Sequence, residues 1–120
     1  MKRFLFLLLL TYSFTVISQS LTKRVLFLGN SYTNRNNLPN LLVNVSLSTG
    51  DSVFVESNTP GGYTLQGHST NSNSLNRIAQ GNWDYVVLQE QSQRPSFPDA
   101  QVQANVYPYA KRLDSLINLA

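Results

Sequence analysis

Three polar stretches of the sequence hold the groups that acyl transfer needs. Gly29-Asn30-Ser31-Tyr32-Thr33 follows an apolar run and offers a hydroxyl nucleophile in Ser31. Pro60-Gly61-Gly62-Tyr63 offers a glycine whose bare backbone N–H can approach an oxyanion closely. Gln89-Glu90-Gln91-Ser92 offers side-chain amide donors in Gln89 and Gln91. A nucleophile, a backbone donor and an amide donor in three separate loops are what acyl transfer needs.

Each of these residues also has a plainer reading. Ser31 at a strand-to-loop turn can cap a helix or close an ST-turn. Gly62, or Gly61 beside it, can serve a turn that needs positive φ. Gln89 and Gln91 can satisfy loop backbone. His68 is the one histidine of the sequence. No Asp stands near it, so it reads as a residue that orients its loop or contacts substrate, not as the base. Asn30 is a second candidate for substrate contact. Trp83 reads as core, and Glu90 as a residue without an acid–base role.

The elements that must position these loops follow from the hydrophobic pattern. Val25-Leu-Phe-Leu28 is a short continuous apolar run before Gly29, as expected of a strand buried on both faces. Ser31 to Asn37 reads as a polar loop. Leu38, Leu41, Leu42 and Val45 then recur at helical spacing, with Pro39 suited to a first helical position and Gly50 to a C-terminal cap. A second strand is expected over 52–57, a loop over 57–68, a short helix over 72–80 ended by Gly81, and a third strand over Tyr85-Val-Val-Leu88. The tail from Asp99 has a helical pattern that Pro108 should kink or restart. Alternation of this kind predicts an α/β fold with a parallel sheet. In such sheets, ligands sit beyond the carboxyl ends of the strands, where the three polar loops lie.

On these residues the chain resembles the SGNH (GDSL-type) hydrolases over about residues 24 to 92. Gly29-Asn30-Ser31 is similar to that family's nucleophile block, Gly62 to its second-block glycine, and the Gln-Glu-Gln-Ser run stands where the family usually has an oxyanion Asn. That last departure looks like the acetylesterase-type branches in which a Gln serves, with Gln89 favoured over Gln91. The resemblance implies a flavodoxin-like doubly wound parallel sheet. It also implies attack by Ser31, with the oxyanion held by the N–H groups of Ser31 and Gly62 and a Gln side chain. The substrate class it implies is a short acyl ester, including O-acetyl carbohydrate, with no metal or organic cofactor. The family's Asp-x-x-His block is absent, and with it the general base. The three strands are therefore expected to be an incomplete, N-terminal part of such a domain, inactive alone. An Asp-x-x-His is expected within the next ~60–150 residues of a longer parent, on usual domain sizes.

Two rivals use the same elements. One is a non-catalytic remnant that binds glycan or a protein partner. The other is a flavodoxin-like phosphate or flavin binder, to which the hydroxyls of Ser31-Tyr32-Thr33-Asn34 are suited. Against the second, the loop lacks the glycines that let backbone close on phosphate.

Composition narrows the setting. The chain has 120 residues, 42% of them hydrophobic, which is ordinary globular composition. Lys2 and Arg3 precede the apolar stretch Phe4 to Ile17, and Val16-Ile17-Ser18 suits a cleavage site before Gln19. Residues 1–18 thus read as a signal peptide and 19–120 as the exported domain, secreted or periplasmic, with no membrane span after the leader is removed. Removing Lys2 and Arg3 lowers the formal net charge from +3 to +1, and no basic run points to nucleic acid. With no Cys, the chain uses neither disulfides nor a Cys-linked lipid.

Overall fold

The computed structural model describes residues 21–120. The expected signal peptide and its cleavage site lie outside them. Three parallel strands, β1 (Lys23–Leu28), β2 (Val53–Asn58) and β3 (Tyr85–Leu88), form one sheet in the order β2-β1-β3. Six α-helical segments connect and follow them, α1 (Ser31–Asn34), α2 (Leu38–Ser48), α3 (Leu65–His68), α4 (Ser72–Ala79), α5 (Asp99–Asn105) and α6 (Tyr107–Leu119), with 3₁₀ turns at Arg35–Asn37 and Arg94–Ser96. The fold is α/β with a three-stranded parallel sheet, as expected. Among the described residues no helix is long and apolar enough to cross a membrane, and no group of His, Asp and Glu could hold a metal ion.

The unbroken apolar run of β1 is explained by its central place. Val25, Leu26, Phe27 and Leu28 are all buried, because successive side chains point to opposite faces and both faces are covered. Leu26 and Leu28 enter the main core with Leu65, Ile78, Val102, Val106 and Leu113 from α3 to α6. Val25 and Phe27 lie outside that cluster, on the opposite face, where α2 packs along β2. Full burial of one such side chain contributes roughly 1.5–3 kcal/mol, so β1 is the anchor of the sheet. At its start, Asp84 accepts from the Arg24 N–H at 2.8 Å and from Lys23 Nζ at 2.7 Å, tying β1 to the approach to β3. The Lys23 hydrogen bond, first among several causes, holds the Asp84 carboxyl below its usual range.

Helix boundaries depart from the sequence expectation where short polar side chains decide them. The stretch 31–37 is not a loop: α1 and a 3₁₀ turn at Arg35–Asn37 occupy it, started by Asn30, whose side chain accepts the Tyr32 N–H. The loop 57–68 likewise contains the turn α3, capped by Thr64 on Gly67 N–H. A single capped turn has no hydrophobic period to read. Pro39 occupies the second position of α2, not the first, and Gly50 and Gly81 follow their helices with φ +85° and +64°. Val106 breaks the C-terminal helix and Pro108 lies in the first turn of α6, so the tail restarts there. Trp83 is only half-buried, at the margin of the core. It stacks on Phe54 with the Arg24 guanidinium 4.5 Å over its ring, and its N–H donates to the Arg77 carbonyl.

Candidate active site

The loops after the three strands meet at Asn30. This side chain is 1% exposed, and its bonds fix both of its ends. Oδ1 accepts the Tyr32 N–H at 3.1 Å, so Nδ2 must be the nitrogen. Nδ2 donates to the carbonyl of Tyr63 at 2.9 Å and to that of Glu90 at 3.4 Å. Tyr63 follows Gly62 in the second loop, and Glu90 follows Gln89 in the third. One buried amide therefore touches all three loops. Asn30, a candidate for substrate contact in the sequence, is a structural knot between the loops.

Gln89 joins the same knot from the end of β3. Its Oε1 accepts the Asn30 N–H at 3.0 Å and the Thr33 hydroxyl at 2.9 Å, which fixes the amide orientation because a backbone N–H can only donate. Its Nε2 donates to the Glu90 carbonyl, leaving one amide hydrogen for an outside acceptor. Gly29 makes this approach feasible. A Cβ at Gly29 would lie 2.5 Å from Thr33 Oγ1 and 2.8 Å from Gln89 Oε1, far inside contact distance. Thr33 is buried, one helical turn beyond Asn30, and its role in holding Gln89 is one that motif reading missed.

The remaining predicted residues fall into two groups. Ser31 is exposed at the first position of α1, next to the knot, and lines a depression of about 320 Å³ with Tyr32 and Arg35. Its hydroxyl makes no hydrogen bond among the described residues. Gly62 is exposed, with φ +66° and open space where a Cβ would be. It occupies the third position of a turn closed by Tyr63 N–H to the Pro60 carbonyl at 3.3 Å, a conformation that favours glycine. Gln91 Oε1 accepts from the N–H groups of Gln93 and Arg94, at 2.9 and 3.3 Å, and so caps the turn that follows it. Glu90 is turned inward: its carboxylate accepts the Leu65 N–H and the Gln91 N–H, closing the start of α3 onto the third loop.

His68, the other candidate for substrate contact, is fully buried. Nε2 lies 2.8 Å from the Gly29 carbonyl and Nδ1 2.7 Å from Ser74 Oγ, so neither nitrogen is free to take a proton from Ser31. Burial pushes its pKa below the usual value, opposed by the Gly29 hydrogen bond and by the Glu90 charge. The His68–Ser74 pair continues to Asn58 at the end of β2 and to Asn71 and Tyr63. A larger, mostly apolar depression of about 600 Å³ lies between α4 and α6, lined in part by Leu75, Ile78, Arg112 and Leu116; it shares no residue with the three loops. No family model matches the chain, and no curated protein or solved structure matches it either.

Proposed function

We propose that the three loops form the acyl-ester site of an exported serine hydrolase built on a flavodoxin-like, SGNH-type sheet. The observation that carries this reading is the Asn30 side chain, whose hydrogen bonds gather the nucleophile loop, the glycine loop and the glutamine loop. In the proposed reaction Ser31 Oγ attacks the carbonyl carbon of a short acyl ester while a base takes its proton. The oxyanion is held by the N–H groups of Ser31 and Gly62 and by an amide hydrogen of Gln89 or Gln91. The alcohol leaves with a proton, and water releases the acid from the acyl-serine. The base is a group other than His68, whose ring is locked inside the fold. An O-acetyl carbohydrate suits the hydroxyl- and amide-rich loops, and the reaction calls on neither metal nor organic cofactor.

A second reading is favoured by two observations: the Ser31 hydroxyl has no partner among the described residues, and the only histidine is committed elsewhere. In that reading the same loops bind an acylated glycan without cleaving it. A fluorophosphonate reacts with a serine hydroxyl that a base has activated and marks the residue it labels, so it tests the nucleophile directly. The protein is incubated with a fluorophosphonate at pH 8, and adducts are mapped by mass spectrometry. The hydrolase reading expects capture at Ser31 ahead of exposed Ser72, and no such adduct in Ser31→Ala. Equal labelling of Ser31 and Ser72, together with saturable binding of an acetylated oligosaccharide, supports the binding reading instead.

A further inference from the structure

The proposed reaction leaves His68 unused, yet this ring is among the most constrained groups in the molecule. It is 0% exposed, and both nitrogens have partners. A carbonyl oxygen only accepts, so Nε2 carries the hydrogen that reaches Gly29, and Nδ1 accepts the Ser74 hydroxyl. Ser74 Oγ in turn receives an Asn58 Nδ2 hydrogen at 2.8 Å. The Tyr63 ring meets the imidazole edge-on, centroids 4.8 Å apart. The ring thus reaches from the second loop to the end of β1, braced by the end of β2 and by α4.

The peptide group between Gly29 and Asn30 is held at both poles. Its carbonyl accepts from His68 Nε2 at 2.8 Å, and its N–H donates to Gln89 Oε1 at 3.0 Å. A peptide is planar, so fixing its oxygen and its hydrogen fixes the rotation of the whole plane. That rotation sets the direction in which Asn30 and Ser31 leave the strand.

We infer that His68 is a positioning residue for Ser31, acting as a neutral Nε2–H donor on the Gly29 carbonyl. For its functional meaning this rests on the serine-site reading above; the clamp itself does not. Two substitutions separate a clamp from a mere core filler. The amide nitrogen of a Gln can stand near the place of Nε2, so His68→Gln retains a donor for Gly29. An Asn reaches only as far as Nδ1, so His68→Asn retains a group beside Ser74 and loses the clamp.

The test combines ¹⁵N NMR of the imidazole with amide exchange at Asn30 and Leu26 in the wild-type protein and both variants. Fluorophosphonate capture at Ser31 is read in parallel. The expected result is an Nε2–H tautomer at neutral pH in the wild type. Asn30 exchange is expected to rise about tenfold or more in His68→Asn and to stay within about threefold of wild type in His68→Gln, each relative to Leu26. An Nδ1–H tautomer overturns the inference, and this readout stands even if a variant does not fold. Equal exchange in the two variants overturns it as well. The expected exchange order with no Ser31 capture in any protein upholds the clamp and rejects the serine-site reading.

Discussion

The carboxyl end of the sheet and its β3 flank are built on opposite terms. At the carboxyl end Asn30, Thr33, His68 and Ser74 are buried polar groups, and no buried side-chain nitrogen or oxygen among the described residues lacks a partner. On the flank Tyr85 is 61% and Val87 39% exposed, on a short edge strand that holds no Pro or Lys. Directional side-chain bonds specify the first region, whereas the second has its ladder to β1 on one side and only apolar side chains on its outer face. The lesson is that the candidate site is over-determined and the flank is permissive. Substitutions should therefore be costly at the first and nearly silent for folding at the second.

The largest effect is expected from Gly29→Ala. The new methyl group would overlap Thr33 Oγ1 and Gln89 Oε1, and it cannot be accommodated without opening the knot. Urea unfolding should show a loss of about 3 kcal/mol, at the upper end of overpacking costs. A loss below about 1 kcal/mol would mean that the loops are looser than their bonds suggest.

Asn30→Ala comes next. It removes the cap of α1 and leaves the Tyr63 and Glu90 carbonyls without their shared donor, for an expected loss of about 2 kcal/mol. A cap alone would cost about 1 kcal/mol, so the size of the loss distinguishes a knot from a cap.

A smaller effect should appear with pH. Burial lowers the His68 pKa in the folded protein, with Glu90 the charged group acting on the ring and Tyr63 the other titratable group against it. The unfolded chain therefore binds a proton first as pH falls. Stability is complete above the ordinary histidine value near 6.5 and declines below it, toward the lowered folded value. Asp84, whose pKa is also lowered, loses its contribution only in the more acidic range beneath 3.8. Unfolding midpoints measured from pH 8 to 5 should fall in the wild type and flatten in His68→Gln. Equal slopes would remove His68 as the source.

The smallest folding effect is expected on the flank. Val87→Lys should change stability by no more than about 0.5 kcal/mol, yet reduce any self-association seen by sedimentation, because a charge on an edge strand opposes strand addition. Destabilisation of about 2 kcal/mol would show that the flank is packed after all.

Much of the fold was legible because apolar runs and turn residues report it directly. Val25–Leu28 announced a doubly buried central strand, and Gly50 and Gly81 marked helix ends that they do terminate. The site was legible as three loops and not as a set of bonds. Nothing in the spacing shows that Asn30 bonds to two other loops, that Gln89 spends its carbonyl on Asn30 and Thr33, or that His68 is inside. These contacts join residues about 30 to 60 positions apart, and folding alone brings them together. The turns α1 and α3 were missed for a related reason: they depend on Asn30 and Thr64 as caps, and four residues carry no period.

The central claim is that side chains of two loops hold the peptide that leads into Ser31, and amide exchange at Asn30 in Gln89→Met tests it most directly. Met keeps the length of Gln and removes the acceptor for Asn30 N–H and the Thr33 hydroxyl. The account predicts that Asn30 protection falls by about tenfold or more relative to Leu26 in β1, the size of one lost hydrogen bond. Unchanged Asn30 protection in a folded Gln89→Met protein would contradict it, since the loop would then be held by something other than these bonds.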